Sequence, residues 1–295
     1  IPDTVQKVYY NENVYRVSKN THEFKEIMQT GLECIGNIDV YNIFEVITLA
    51  AKSLSAISDS YVLDLSHIGI VSAAVESAGL DRSTGRAILT CIGEKNQSGI
   101  EKICKENNVT DEACQRIVSL VGIYGKIEKV LPALAEICDT DEMKTALAEF
   151  SDICSLLVSS SIAKNINIDF SIATDMRYYN GVVFQGFVEN VPTGVLSGGQ
   201  YDNLMKKMGR KSGAIGFAVY LDALERLNLT EKKYDVDTVL LYSGDCSAAD
   251  LAEAVNSLVA DGKSVMAQLS IPENIRYRQL LKLQGKEVDI LENND

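Results

Sequence analysis

Gly198-Gly199-Gln200-Tyr201-Asp202-Asn203-Leu204, followed closely by Ala214-Ile215-Gly216-Phe217-Ala218-Val219, is the stretch on which the reading of the fold turns. Residues 194–199 read as a turn with a Gly-Gly pair, a composition that tolerates positive φ and lets backbone approach a ligand closely. Residues 201–208 read as a short helix. The tight apolar stretch 214–219 leads into a helix through Leu227. Just upstream, residues 166–170 and 182–187 read as strands on either side of Met176-Arg177-Tyr178-Tyr179-Asn180-Gly181. Further upstream, residues 5–17 read as two strands around the turn Asn11-Glu12-Asn13, and residues 24–29 as another strand, with Gly31 and Gly36 as punctuation. Ile43, Phe44, Val46, Ile47, Ala50 and Leu54 recur at helical period. Residues 61–65 are strand-like, and His67 reads as a loop residue in a structural role.

Between about 70 and 160 the character changes. Val75, Ala78, Ala87, Ile88 and Ile103 fit amphipathic helices, as do Ile117, Val118, Val121, Val130, Leu131 and Leu134. Turns rich in Gly, Asn and Asp separate them, so a helical insertion is expected. It divides a core made of residues 1–69 and 161–230. After a polar hinge, Thr230-Glu231-Lys232-Lys233, residues 232–295 read as a strand at 238–242, a helix at 248–260, a strand at 264–267, a helix at 275–283 and a strand at 287–291. Such alternation predicts a small α/β domain with a largely parallel sheet.

Composition narrows the class. The 295 residues are 46% hydrophobic and 23% charged, which excludes a disordered or low-complexity chain. No apolar run reaches the ~18 residues expected of a spanning helix, so no membrane is expected. The formal charge of −13 argues against anionic membranes and tight RNA binding. Cys34, Cys91, Cys104, Cys114, Cys138, Cys154 and Cys246 include no C-x-x-C pair, and only His22 and His67 could join them at a metal. The expectation is reduced, buried thiols in a cytoplasmic protein, with no metal site. Ile1-Pro2-Asp3 has neither an initiator Met nor the regions of a signal peptide, so the first part of the core is expected to precede it.

Three segments now stand in a telling order. The first is Tyr15-Arg16 with Glu23-Phe24-Lys25-Glu26-Ile27-Met28-Gln29-Thr30-Gly31-Leu32-Glu33-Cys34-Ile35-Gly36. The second is Met176-Arg177-Tyr178-Tyr179-Asn180-Gly181-Val182-Val183-Phe184-Gln185. The third is the stretch quoted at the outset. Together, over roughly residues 1–228, they resemble the catalytic core of histidyl-tRNA synthetases and their relatives. The resemblance implies an α+β fold: a class II aminoacyl-tRNA synthetase-like antiparallel sheet with flanking helices, a helical insertion and a small anticodon-binding-like C-terminal α/β domain. It also implies a histidine pocket at Gln29, Glu33, Tyr178, Tyr179, Gly198, Gly199 and Tyr201. Read as chemistry, Gln29 and Glu33 lie four apart, on a strand and the turn after it. An amide and a carboxylate there could receive an α-ammonium by charge-assisted hydrogen bonding. Tyr178 and Tyr179 could offer an aromatic wall and a hydroxyl for an imidazole nitrogen. Without the surrounding motifs, the same residues would read as a solvated polar pair and as one core and one surface tyrosine.

The departures from the family pattern decide the expected function. Where the family places an arginine four residues before the paired tyrosines, this chain has Thr174, and Arg177 is displaced by three positions. The second arginine of the family is here Ala223, Tyr220 replaces a small residue, and Gln200 and Gln185 replace an arginine and a glutamate. Of the early arginine pattern only Arg16 remains clear. Losing one preorganised charge donor costs about 10²–10³ in rate, so the ATP site, marked by Arg16, Thr174 and Ala223, reads as degenerate, with no catalytic residue. This pattern, and the segment from Leu120 to Leu131, resembles the non-catalytic branch of the family, the regulatory subunits of ATP phosphoribosyltransferase in histidine biosynthesis. That resemblance implies L-histidine as an allosteric ligand and no cofactor. It also implies a short-form catalytic subunit as partner, and a homodimer within a hetero-octamer. The alternatives are a divergent histidyl-tRNA synthetase and a synthetase paralogue with another role. Arg276, Arg278 and Lys282 share the helix expected at 275–283. Since residues 232–295 carry seven basic against eleven acidic side chains, that face reads as solvated rather than as a tRNA contact.

Overall fold

The structure, a computed structural model, describes residues 4–17, 24–172, 178–224, 227, 233–244 and 246–294; the side chains of Arg16 and Lys25 are outside that description. The chain divides into two compact units, 1–227 and 228–295.

The first unit opens with a two-stranded ribbon, β1 (Gln6–Val17) and β2 (Phe24–Gly36). Residues expected to form two strands and a turn form one strand, because β1 pairs with β2 residue for residue from Gln6↔Ile35 to Val17↔Phe24. The polar triplet Asn11-Glu12-Asn13 simply lies on an exposed edge. Helix α1 (Val40–Ile57) follows, started by a capping box between Asp39 and Asn42, a device worth about 1 kcal/mol. Then come β3 (Tyr61–His67) and six helices: α2 (Ile68–Glu76), α3 (Arg82–Gly93), α4 (Gln97–Glu106), α5 (Asp111–Gly122), α6 (Ile127–Ile137) and α7 (Asp141–Val158), with a two-residue strand, β4 (Tyr124–Gly125), before α6. Asp81, Asn96, Thr110 and Thr140 cap α3, α4, α5 and α7, which is why the intervening turns are so polar. The chain returns to the sheet with β5 (Ile166–Asp169), β6 (Val182–Val188) and β7 (Leu196–Gln200). It finishes the unit with α8 (Asp202–Lys207), β8 (Gly213–Tyr220) and the short α9 (Leu221–Leu224).

Eight strands form one sheet in the order β1-β2-β8-β7-β6-β3-β5-β4. Every neighbouring pair is antiparallel except β3 with β5. Alternation along each strand gives the sheet two unlike faces. One carries the row Leu32, Phe217, Gly198, Phe184 and Leu65, and Val46, Ile47, Ala50 and Leu54 of α1 are fully buried in the core it belongs to. By length and composition α1 could cross a membrane, but its apolar stripe is spent on this core. The other face carries the rows Glu33, Gly216, Gly199, Val183 and Gly31, Ala218, Ser197, Gln185, Asp64. The helical segment shares one hydrophobic core with the sheet through Ile88, Ile117, Leu134, Phe150 and Leu157.

A polar clamp joins that segment to the sheet. Lys95 Nζ meets Asp169 Oδ2 at 2.6 Å. Asn167 Nδ2 donates to Tyr124 Oη at 3.0 Å and to Asp64 Oδ1 at 3.3 Å. Lys126 Nζ donates to the carbonyls of Lys164 and Ile166 at 2.7 and 3.0 Å. Burial pushes the Asp64 carboxyl up to about 6, against the opposing pull of the Asn167 hydrogen bond. His67, expected in a loop, is instead the buried last residue of β3, its Nε2 3.6 Å from Glu149 Oε2.

The second unit has β9 (Val236–Leu241), α10 (Ala248–Ala260), β10 (Val265–Gln268), β11 (Tyr277–Gln284) and β12 (Glu287–Asn293). Its sheet runs β10-β9-β11-β12, parallel but for the last pair. The helix expected at 275–283 is therefore a strand. Leu281 and Leu283 pack with Leu240, Leu251 and Val255 on the α10 side, and Leu280, on the opposite face by strand alternation, packs with Val236 and Val239. A segment with leucines for both faces of a sheet satisfies its backbone as a central strand. Arg276 and Arg278 pair with Asp235 and Asp237 at 3.0 and 3.8 Å.

Candidate functional site

Strand β2 is one unbroken extended segment, so Glu33 lies on the strand and not in a turn. Its spacing of four from Gln29 places both on the same face, with Gly31 between. There they line a cavity of about 260 Å³ with Tyr10, Tyr178, Tyr179, Ser197, Tyr201, Gly216, Phe217, Ala218 and Tyr220. The structure thus brings together five of the seven expected pocket residues: Gln29, Glu33, Tyr178, Tyr179 and Tyr201.

The two glycines play different parts, and neither is in a turn: both lie in β7. Gly199 is on the pocket face, and a Cβ there would sit 2.7 Å from the Tyr179 ring. Gly198 points to the opposite face, where a Cβ would strike the Phe184 ring at 2.5 Å; it makes room in the core and does not line the pocket. Gly216, unremarked by sequence reasoning, matters most. A Cβ at that position would fall 1.9 Å from Glu33 Oε2, so the carboxylate rests on bare backbone.

The electrostatics follow from burial. Burial raises the Glu33 pKa, and the hydrogen bond it accepts from Tyr201 Oη draws it part of the way back. The same burial, and then the neighbouring carboxylate, raise the Tyr201 phenol, so Tyr201 stays a donor. Gln29 is 3% exposed and its Nε2 has no hydrogen-bond partner. An unpaired buried amide costs about 1–3 kcal/mol, which a ligand atom would recover. An amide presents a donor at one end and an acceptor at the other, so this position can meet a carboxylate or, turned over, an ammonium. Tyr178 stacks edge-on to Tyr179 at 4.6 Å and lies 5.6 Å from the Tyr201 ring. These two tyrosines sit in the turn before β6, which Asp202 secures. Asp202 accepts from Gln200 Nε2 at 2.9 Å, Asn180 Nδ2 at 3.4 Å and the Ala214 amide at 2.9 Å. That hub explains why Gly-Gly-x-Tyr-Asp and Tyr-Tyr-x-Gly occur together.

Of the residues assigned to a degenerate ATP site, Ala223 is not among those that line this cavity. Ala223 lies on α9, packed against the core. Arg16 lies in β1 opposite Lys25, and its side chain is outside the described residues, as are Thr174 and Arg177. The described lining holds one carboxylate and no cation. No group of three metal-ligating side chains occurs among the described residues. Sequence reasoning missed Tyr10, Ser197 and Ala218, and took Tyr220 only as a departure. Their signal was strand register, which places Ser197 opposite Ala218 and Ala218 opposite Gly31.

An antiparallel sheet with this pocket on its polar face and helices behind it defines a class II synthetase-type ligand-binding core. The model of the histidyl-tRNA synthetase family matches residues 2–224, and the chain belongs to that family. Among curated proteins, the ATP phosphoribosyltransferase regulatory subunit of Bacillus cereus (strain ATCC 10987 / NRS 248) is 26% identical over 281 residues, 92% of this chain and 66% of the relative. That of Clostridium kluyveri is 28% identical over 263 residues, 87% of this chain and 67% of the relative. The chain thus spans about two thirds of the length of the curated relatives it matches. Among solved structures, an ATP phosphoribosyltransferase regulatory subunit/histidyl-tRNA synthetase from Bacillus halodurans superposes with a TM-score of 0.67 at 26% identity, covering 94% of this chain and 73% of that one. Histidyl-tRNA synthetase from Nostoc sp. PCC 7120 shares the fold at 15% identity, with a TM-score of 0.65 and 93% and 69% coverage.

Proposed function

We propose that this chain is a non-catalytic regulatory subunit of ATP phosphoribosyltransferase, and that it binds L-histidine in the pocket of Gln29, Glu33, Tyr178, Tyr179 and Tyr201. The observation that carries this reading is the asymmetry of the site. It keeps a half-buried carboxylate and an orphaned amide suited to an amino acid, while its described lining has no cation to balance phosphate charge. Activating an amino acid with ATP builds negative charge that such a lining leaves uncompensated. The names of the curated relatives point the same way. In the bound state Glu33 holds a cationic nitrogen of histidine, Tyr201 orients the carboxylate, and the tyrosine pair walls the imidazole. Regulation follows if histidine binds the active and inhibited assemblies with different affinity. The partner is a short-form catalytic subunit, and the assembly a hetero-oligomer built on a dimer of this chain.

The test is reconstitution of the full-length protein with a short-form catalytic subunit, with phosphoribosyl-ATP formation measured with and without histidine. Activity that requires this chain and falls with histidine is the expected result, and Glu33→Ala should abolish the inhibition while leaving assembly intact. Activation without inhibition would keep the partner and remove the histidine pocket. No effect on the catalytic subunit, together with histidine-dependent ATP–pyrophosphate exchange, would make the chain a divergent histidyl-tRNA synthetase.

A further inference from the structure

On the side of β7, the pocket ends at a pair of hydroxyls. Ser197 Oγ and Tyr220 Oη lie 2.5 Å apart. Ser197 stands opposite Ala218, and Tyr220 follows two residues later on the same face, so the phenol ring reaches back along the strand to make this bond. Its backbone is fixed as well: the Tyr220 amide donates to the Val195 carbonyl at 2.8 Å, and the residue pairs with Gln29. The ring is therefore tied at both ends.

Past Ser197, the same face of the sheet continues with polar residues, Gln185 on β6 and Asp64 on β3, yet neither lines the cavity. The cavity, about 260 Å³, falls below the roughly 300–1,000 Å³ typical of sites for drug-sized ligands. The pocket also has a polarity along its length. Glu33 repels a carboxylate at one end. At the other, the mutual bond between Ser197 and Tyr220 uses one hydroxyl proton and leaves the second to donate. These two ends would receive an amino acid with its cationic nitrogen toward Glu33 and its carboxylate toward the hydroxyl pair.

We propose that Tyr220, latched to Ser197, sets the length of ligand this site accepts: a free amino acid is admitted, and one extended at its carboxylate is refused. The inference rests on the histidine reading above and adds a specificity-determining residue to it.

The experiment is titration calorimetry on the full-length chain with two probes. One is L-histidine; the other is histidine joined through its carboxyl, by an acyl-sulfamate, to adenosine. The unaltered chain should prefer free histidine by about 10-fold or more, the scale of steric discrimination by a pocket wall. Tyr220→Ala should bring the two affinities to within about 3-fold or reverse them, by removing that same steric wall. Ser197→Ala, which keeps the ring and removes the latch, should shift the ratio the same way by less, and serves if the first variant does not fold. An unaltered chain that binds the extended probe as tightly as histidine overturns the inference. So does histidine binding with a ratio that neither substitution moves, and in both cases the histidine pocket stands. Absence of histidine binding to the unaltered chain overturns the pocket and the inference together.

Discussion

At the scale of the residue, the site is governed by Glu33 and the glycine beneath it. Its carboxyl is held above the usual carboxylate range by burial. A cationic nitrogen placed against it offsets that burial and lowers its pKa again. Histidine binding should therefore release a proton while the free carboxyl is still protonated. Affinity should be full above the raised pKa of the free site and fall as pH drops through it. Calorimetry from the ordinary carboxylate range at about pH 4 up to about pH 8, in buffers of different ionisation enthalpy, checks this; a flat profile with no proton release would count against Glu33 as the ligand's partner. Gly216→Ala tests the floor. The added methyl has 1.9 Å to Glu33 Oε2 and 2.5 Å to the Leu32 carbonyl, so the carboxylate must leave its seat. Histidine affinity should drop by about 10-fold or more, the loss of one charge-assisted bond, with a stability loss of about 1–3 kcal/mol from overpacking. Denaturant melts separate the two effects.

At the scale of the element, the clamp between the helical segment and β3–β5 makes a separate prediction. Asp64 titrates at about 6 in the folded chain and near 3.9 unfolded, so the folded state holds the extra proton between those values. The stability linked to Asp64 is fully present below the unfolded pKa and is lost as pH rises through about 6. Asp169, Lys95, Lys126 and Tyr124 share the site. Asp64→Asn keeps an oxygen for Asn167 and removes the charge. Its melting should lose this pH dependence, and above pH 6 the variant should be more stable by on the order of 1–3 kcal/mol. Equal slopes in the two proteins would show that the group ionises freely in the fold. The same element scale explains what local pattern misread. In both 5–17 and 275–283 the partner strands decide the conformation, and β11 in particular is central only because β9 and β12 lie on either side of it.

At the scale of the whole molecule, charge argues against nucleic acid. The chain carries −13, and two of the basic residues of the second unit, Arg276 and Arg278, are matched by Asp235 and Asp237. No shift in tRNA mobility is expected at about 0.15 M salt, where counterion release contributes little without a basic surface; a saturable shift would restore the synthetase reading of this unit.

Sequence alone determined the class of fold and named five of the eleven residues that line the cavity. Apolar periodicity marked α1 and the helical segment, and three short motifs carried the family. The family resemblance named Glu33, Gln29 and the tyrosines; residue type added only what a carboxylate, an amide and a phenol can do chemically once placed there. What only the tertiary structure decided was orientation and company. A strand's two faces differ by one residue, so the contrast between Gly198, packed under Phe184, and Gly199, beneath Tyr179, needed the register of β6, β7 and β8. The carboxylate seat at Gly216, the orphaned Gln29 amide and the Ser197–Tyr220 latch are likewise relations between strands distant in sequence. Each depends on which backbones lie side by side, and that is settled by burying both faces of the sheet at once rather than by any local run of residues.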